Sequence, residues 1–132
     1  MDPIDKLAWT CIQDRKVLFA RSKNKDLFYN PGGKREVNET DAEALMREIK
    51  EELNVDLISS TIKYLTTFKA QAHGKPEGVL VEIKCYTAGY NGTIVPSSEI
   101  EEVAWFTSAD MNRTSPTGQL TLHWLREQNL VD

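Results

Sequence analysis

Three glutamates lie close together in the stretch "GKREVNETDAEALMREIKEELNV", which runs from residue 33 to residue 55. They are Glu48, Glu51 and Glu52, and at about 100° per residue on a helix they share one arc beside the apolar stripe. Like charges at this spacing repel each other, by roughly 0.2–0.5 kcal/mol per exposed pair and by more when partly buried. A divalent cation would relieve the repulsion, because hard ions such as Mg²⁺ bind carboxylate oxygens and are often shared with substrate phosphates.

Other interpretations of these charges explain less. A solvated helix face is favoured by the i,i+4 pairs of Arg47 with Glu43 and with Glu51, but it leaves the like-charged pair of Glu48 and Glu52 unexplained. An acidic helix that binds a basic partner would need no metal and gives no role to the neighbouring glycines. An EF-hand is disfavoured because no DxDxDG loop precedes the carboxylates. We therefore predict a site for divalent cations such as Mg²⁺.

The loop just before these carboxylates could hold an anionic ligand. Gly32 and Gly33 allow the backbone to approach a ligand closely, and amides that lead into a helix suit anionic groups. Lys34 and Arg35 add positive charge. A Pro-Gly-Gly turn is often no more than a turn, but beside a carboxylate cluster it becomes a candidate for phosphate binding. We predict that these four residues contact the substrate.

Hydrophobic periodicity predicts the helix that positions the glutamates. From Thr40 onward, one face repeats at i, i+3, i+7 and i+11, with the apolar residues Ala42, Leu45, Ile49 and Leu53. Thr40 and Glu43 have the spacing of a capping box. Asn54 takes the position after the helix where Gly is commonest, and Asn is its usual substitute in the left-handed conformation.

The other segments predict a mixed sheet. We expect strands at residues 7–12, 16–21, 27–29, 61–72, 78–88 and 101–106, loops at 30–39 and 90–99, and a closing helix from Pro116 with Ser115 as its N-cap. Residues 61–72 and 78–88 should form an antiparallel hairpin through "HGKPEG". This order of elements predicts an α+β fold, an α/β/α sandwich in which helices flank a mixed β-sheet.

Length and composition narrow the functional classes. A chain of 132 residues suits one domain, which we expect to span residues 1–132. The net charge of −4 and the absence of a block of Lys and Arg argue against binding of duplex nucleic acid. No apolar run approaches the ~18 residues of a membrane span, and the start lacks the pattern of a signal peptide, so we expect a cytoplasmic protein, a monomer or a homodimer. Cys11 and Cys85 are predicted to be buried free thiols.

At fixed spacing, the stretch reads Gly33, five residues, Glu39, seven residues, and then "REIKEELNV". This pattern resembles the Nudix box, Gx5Ex7REUxEExGU, in which U is aliphatic, and "PGGKRE" is similar to the MutT-like branch of the Nudix hydrolases. The chain departs from the box at Asn54, where the family has Gly, and just outside it at Asn38, where many members have Gly. Because Asn tolerates positive φ better than other side chains, we expect both turns to be preserved.

The resemblance implies a Nudix fold and metal-dependent hydrolysis of a nucleoside diphosphate linked to another group, X. The implied ligands of Mg²⁺ or Mn²⁺ are Glu48, Glu51, Glu52 and the carbonyl of Gly33. Glu39 would assist directly or through water, and Arg47 would orient a box glutamate. The metal ions would bridge diphosphate oxygens and lower the pKa of a bound water.

The general base and the substrate stay open. The base could be a box glutamate or a carboxylate of the later loop, where Glu99 is the first choice and Glu101 and Glu102 are alternatives; each could also be a solvated charge. A short chain favours a (deoxy)nucleoside triphosphate or modified nucleotide, cleaved to monophosphate and pyrophosphate. Nucleotide sugars, ADP-ribose and a non-catalytic nucleotide sensor are the alternatives, and the retained box carboxylates favour catalysis.

Base recognition must come from outside the box. Five aromatic residues could stack on a base, although their strand positions favour the core: Phe28, Tyr29, Tyr64, Phe68 and Trp105. His73 and Glu77 lie in a loop that could cover the site, and solvent exposure is the alternative for both.

Overall fold

A computed structural model describes residues 2–132 of the chain. Its strands are β1 (Ile4–Trp9), β2 (Ile12–Gln13), β3 (Lys16–Ser22), β4 (Gly32–Lys34), β5 (Asp56–Leu57), β6 (Lys63–Gln71), β7 (Leu80–Thr87), β8 (Tyr90–Asn91) and β9 (Ile100–Phe106). The α-helices are α1 (Asp41–Leu53) and α2 (Pro116–Glu127), and short 3₁₀ helices form at Ser59–Thr61 and Ser108–Arg113.

The strands form separate sheets. The largest has the order β4-β1-β7-β6, in which β1 and β7 are parallel and the other two pairs are antiparallel. The second sheet, β2-β3-β9, is antiparallel, and β5 pairs with β8. The predicted α+β fold with a mixed sheet and flanking helices is confirmed, and so is the predicted hairpin, which is β6-β7. The sheet is divided, however, and residues of both larger sheets line the space between them.

Helix α1 begins and ends as the sequence predicts. Thr40 and Glu43 make both hydrogen bonds of the capping box, and Asn54 has φ 60° and ψ 29°, which is the left-handed conformation. Asn38 also has positive φ, at 68°. The helix buries Ala44, Leu45, Ile49 and Leu53 against a core that includes Leu7, Trp9, Leu18 and Val55. This packing fixes the rotation of α1, so the box glutamates point to the edge of the core.

Helix α2 packs on the opposite face of β3. The hydroxyl of Ser115 accepts a hydrogen bond from the Gly118 backbone, and Pro116 occupies the first turn, as predicted. Leu122 and Leu125 of α2 pack with the inward residues of β3 and β9, which are Val17, Phe19 and Phe106. Because neighbouring residues of a strand point to opposite faces, Leu18 faces α1 while its neighbours face α2.

Some short elements differ from the sequence-based expectation. Strand β4 lies inside the predicted loop 30–39, β8 lies inside the predicted loop 90–99, and the first strand begins at Ile4. Residues 27–29 form isolated bridges instead of a strand. Strand β4 was missed because it consists of two glycines and a lysine, which have low strand propensity, and it exists because β1 offers it an edge to pair with.

The aromatic side chains divide into several environments. Phe28 is buried in the core, and Phe68 is partly buried against a separate apolar cluster that includes Val81 and Ile83, as expected. The core expectation is wrong for Tyr64, which is 58% exposed, and for Trp105, which is 36% exposed. Both lie on strands where alternate positions face solvent, so strand membership alone did not establish burial.

Neither α-helix in the described part of the chain is long and apolar enough to cross a membrane.

Both cysteines are buried and free, as predicted, and burial raises the pKa of Cys11 to about 11 and that of Cys85 to about 12. We expect them to react slowly with an aromatic disulfide reagent at pH 8 in the native protein, since they are shielded and uncharged there. In guanidinium chloride both should react quickly, because the thiol pKa returns toward about 8.5. Rapid labelling of two thiols in the native protein would contradict this burial.

Candidate active site

Two cavities adjoin each other beside α1. The larger has a volume of about 460 Å³ and lies between β1 and β7 on one side and β3 on the other. The smaller has a volume of about 250 Å³. Four residues line both cavities: Ser22, Glu52, Glu99 and Ile100. A single extended ligand can therefore reach both.

The smaller cavity brings together four carboxylates. Glu48, Glu51 and Glu52 come from α1, and Glu99 comes from the loop before β9. The structure thus places the three predicted metal-binding glutamates beside the first-choice candidate for the general base. Glu101 and Glu102, the other candidates, line neither cavity, and Glu102 forms an ion pair with Arg21.

The loop that carries Glu99 is anchored on the end of α1. The backbone N–H of Ser97 donates to the carbonyl of Glu52 at 2.9 Å, and its hydroxyl donates to the carbonyl of Glu51 at 2.6 Å. These carbonyls belong to the last turn of the helix, where no intrahelical donor is available. Ser98 follows with φ 56°. The end of the helix therefore holds Glu99 next to the box glutamates.

The two loop glycines give carboxylates access to the backbone of β4. A Cβ atom on Gly33 would lie only 2.5 Å from the carboxyl carbon of Glu48. Gly32 has φ +139°, and a Cβ atom there would lie 2.0 Å from the carbonyl oxygen of Leu7. The N–H of Gly32 donates to Glu52 at 3.1 Å. Position 32 therefore requires glycine, whereas an alanine at position 33 would displace the carboxylate of Glu48.

Arg47 connects most of the acidic residues around the loop. Its guanidinium donates twice to Glu39, at 2.7 and 2.9 Å, and once to Glu48, at 3.1 Å. It also donates to the carbonyl of Lys34 at 3.0 Å and lies 3.6 Å from Glu51. The guanidinium of Arg47 thus partly neutralises the surrounding glutamates and connects α1 to β4.

Glu39 is held away from the cavities. Its carboxylate receives both hydrogen bonds from Arg47 and one from the backbone N–H of Glu36, at 2.8 Å. The hydrogen bonding to Arg47, followed by that to Glu36, lowers the pKa of Glu39 to about 2. Glu39 lines neither cavity, so in this arrangement it holds the loop and Arg47 together.

Two of the box glutamates sit in surroundings that disfavour their charge. Burial raises the pKa of Glu52 to about 8, against which the hydrogen bond from Gly32 acts only in part. Burial also raises the pKa of Glu48, while its hydrogen bond from Arg47 opposes the shift. A cation placed among these carboxylates would favour their ionised forms.

The donor set fits a hard divalent cation. Every side chain that would bind it offers carboxylate oxygen, which Mg²⁺ and Mn²⁺ prefer. In residues 2–132, no three acidic, histidine or cysteine side chains already converge as metal ligands. Two of the candidates are turned to other partners, Glu48 to Arg47 and Glu52 to the Gly32 N–H. Binding therefore requires these two carboxylates to share or exchange their present partners.

The predicted substrate-binding residues divide into two groups. Gly32, Gly33 and Lys34 line the larger cavity. Arg35 lies outside both cavities and forms ion pairs with Asp5 at 3.1 Å and with Asp41 at 2.5 Å. In this position Arg35 joins β1 to the start of α1 instead of facing a ligand.

Several cavity residues were not identified from the sequence. Lysines bring positive charge to the larger cavity, namely Lys6, Lys25 and Lys75 in addition to Lys34. The predicted first strand begins at Leu7 and so excludes Lys6, whereas a strand that begins at Ile4 places Lys6 on one face with Ile4 and Ala8. Of the ligand-facing candidates that were considered, Tyr29 and His73 line the cavity and Glu77 does not. The ring centroids of Tyr29 and His73 are 5.9 Å apart, and His73 Nε2 lies 3.1 Å from Asp26.

Comparison with known proteins agrees with this geometry. The NUDIX domain family matches residues 7–125. The chain belongs to the NUDIX domain family. The matched region includes all of β4 and α1, and with them the glycine loop and the glutamates that resemble the Nudix box.

Similar proteins include several that are named as hydrolases. NAD-capped RNA hydrolase NudC from Vibrio atlanticus (strain LGP32) is 30% identical over 122 residues, which cover 90% of this chain and 42% of NudC. The chain thus spans about two fifths of that relative. The solved E. coli ORF135 protein has a TM-score of 0.75 at 24% identity, over 100% of this chain and 96% of ORF135. MutT NUDIX hydrolase from Burkholderia pseudomallei has a TM-score of 0.75 at 20% identity, over 93% and 98%. The two structures support the Nudix fold.

Substitution by alanine should have different effects at Gly32 and at Gly33. Gly33→Ala displaces only the flexible carboxylate of Glu48, so we expect a change in stability below about 1 kcal/mol and an at least tenfold loss of hydrolase activity. Gly32→Ala meets the backbone of Leu7, and we expect a loss of about 3 kcal/mol or more in the free energy of unfolding.

Thermal unfolding and rate measurements on both variants test this difference. Gly74→Ala is the matched control, because Gly74 also has positive φ but open space around it. Similar destabilisation in the Gly32 and Gly74 variants, or full activity in the Gly33 variant, would show that the close contacts do not matter.

Proposed function

We propose that this chain is a metal-dependent Nudix pyrophosphohydrolase that cleaves a phosphoanhydride bond in a nucleoside diphosphate linked to X. The observation that carries the proposal is the junction of the two cavities. Four carboxylates line the smaller cavity, and two of them, Glu52 and Glu99, also line the larger cavity together with the glycine loop and several lysines. This arrangement suits a ligand with phosphates at the junction and an organic group in the larger cavity.

In this proposal, the carboxylates of α1 bind the metal ion. Glu48, Glu51 and Glu52 would hold Mg²⁺ or Mn²⁺, with the Gly33 carbonyl as a further oxygen ligand. When bound, the cation would neutralise diphosphate oxygens and lower the pKa of a coordinated water. The roles of the chain's own residues follow from their contacts.

Arg47 acts in this proposal as a positioning residue. It already holds Glu48 at 3.1 Å and Glu39 at 2.7 Å, so it limits the motion of the box glutamates. Glu99 approaches the same cavity from the other side. We assign to Glu99 the acceptance of a proton from the attacking water, because it carries a carboxylate and none of the ion pairs among residues 2–132 engages it.

A (deoxy)nucleoside triphosphate, or a modified nucleotide of that kind, is the substrate we propose. The larger cavity, at about 460 Å³, has the size of a typical small-molecule pocket. Tyr29 and His73 at its wall offer ring faces for a base. The products would be a nucleoside monophosphate and pyrophosphate. Nucleotide sugars, ADP-ribose and NAD-capped RNA, which the name of the relative NudC mentions, form the comparison set.

A screen for release of phosphate and pyrophosphate tests the proposal. We expect Mg²⁺- or Mn²⁺-dependent turnover of at least one nucleoside triphosphate or modified nucleotide, and a loss of about 100-fold or more in Glu52→Gln. Glu101→Gln is the matched control, because Glu101 is exposed and lines neither cavity, and its rate should stay within about twofold of the unmodified chain.

Two other outcomes of the screen would change the proposal. Turnover that is confined to nucleotide sugars or dinucleotides would keep the pyrophosphohydrolase and replace the proposed substrate. No turnover of any substrate by a folded, metal-binding chain would contradict catalysis and favour a nucleotide sensor.

A further inference from the structure

Lys6 is an unusual residue for the wall of the larger cavity. It lies on β1 between Asp5 and Leu7, and its side chain shares a face with Ile4 and Ala8. Its side chain is half-buried, and a lysine withdrawn from solvent is usually paired with an opposite charge. Among residues 2–132, none of the ion pairs within 4.0 Å includes Lys6. Its ammonium group therefore lines a cavity without an acidic partner in contact.

A second lysine lies directly opposite. Lys6 of β1 pairs in register with Lys34 of the antiparallel strand β4, so their side chains project from the same face. Like charges in this arrangement destabilise a sheet. Burial, and next the charge of Lys34, lower the pKa of Lys6. Lys75 lines the same cavity and adds to the positive charge.

The nearby carboxylates of Glu48 and Glu52 do not pair directly with Lys6, so an anionic ligand could still bind to it. Glu52 and Glu48 attract Lys6 through space, but neither contacts it within ion-pair distance. In the proposed function these same carboxylates bind a cation. Once they do so, the two facing lysines lose their compensating negative charge, and a phosphate group from the ligand can supply it.

We propose that Lys6 and Lys34 form an anion subsite that binds the terminal phosphate of a nucleoside triphosphate. Lys6 is then a specificity-determining residue, which favours a charged X group over a neutral sugar. This inference rests on the proposed function for the choice of ligand, but it concerns binding and requires no turnover. The subsite is distinct from the carboxylate cluster, because its charge is positive and its residues lie on β1 and β4.

Equilibrium binding of matched ligand pairs tests the subsite. The probes are methylene-bridged analogues, which cannot be hydrolysed: a triphosphate and ADP-ribose for adenosine, and a triphosphate and a glucose diphosphate for uridine, all with Mg²⁺. We expect the unmodified chain to bind the triphosphate of at least one pair more tightly than its partner. Lys6→Met should weaken triphosphate binding by about tenfold or more and change sugar binding by less than about twofold.

Two further variants control for folding and charge. Lys69→Met removes a lysine of β6 that is paired with Glu82 at 3.6 Å and lines neither cavity, so it should leave both affinities unchanged. Lys6→Arg keeps the positive charge and should restore at least part of the preference for the triphosphate. Thermal unfolding of each variant shows whether it is folded at the temperature of the titration.

The results separate this inference from the proposed function. Equal loss of both ligand types in Lys6→Met, loss of neither, or no triphosphate preference in the unmodified chain would overturn the subsite, even if the chain hydrolyses nucleotides. A triphosphate preference that depends on Lys6 in a chain without hydrolase activity would keep the subsite and reject the proposed catalysis.

Discussion

Burial of box glutamates beside one another is the constraint on which the site depends. Glu48 and Glu52 are drawn to the edge of the core by the packing of α1, where burial disfavours their charge. Arg47 offsets part of this cost, and the N–H of Gly32 offsets another part. The loop, the helix and the strand beside them are joined through these contacts. A cation bound among these carboxylates would favour their ionised forms and reduce their mutual repulsion.

Much of this arrangement could be predicted from local sequence. The capping box of Thr40 and Glu43 and the left-handed conformations of Asn38 and Asn54 follow from short-range geometry, and the structure confirms them. Of the predicted face of α1, Leu45, Ile49 and Leu53 are buried, but Ala44 is buried in place of Ala42. The spacing of the box glutamates follows equally, because α1 is a regular helix. Strand β4 was not predicted because it forms by pairing with the edge of β1, and its own residues have low strand propensity.

The rest of the site depends on contacts between distant segments. Glu99 reaches the carboxylate cavity because Ser97 hydrogen-bonds the last turn of α1, a docking that no local pattern encodes. Arg35 was predicted to contact the substrate, but its guanidinium forms ion pairs with Asp5 and Asp41. Lys6 shows the reverse, because a charged residue of β1 becomes part of a cavity wall once β4 and β7 flank that strand. In each case the partner, and not the residue type, decides the role.

The most direct test of this account is the melting temperature of the unmodified chain and of Glu52→Gln, each measured with and without millimolar Mn²⁺. The amide keeps an oxygen that can accept from Gly32 and removes a carboxyl group whose ionisation burial disfavours. The account predicts that metal-free Glu52→Gln melts higher, by on the order of 5 °C, and gains less from Mn²⁺ than the unmodified chain. A lower melting temperature in the metal-free variant, together with an equal gain from Mn²⁺, would contradict it.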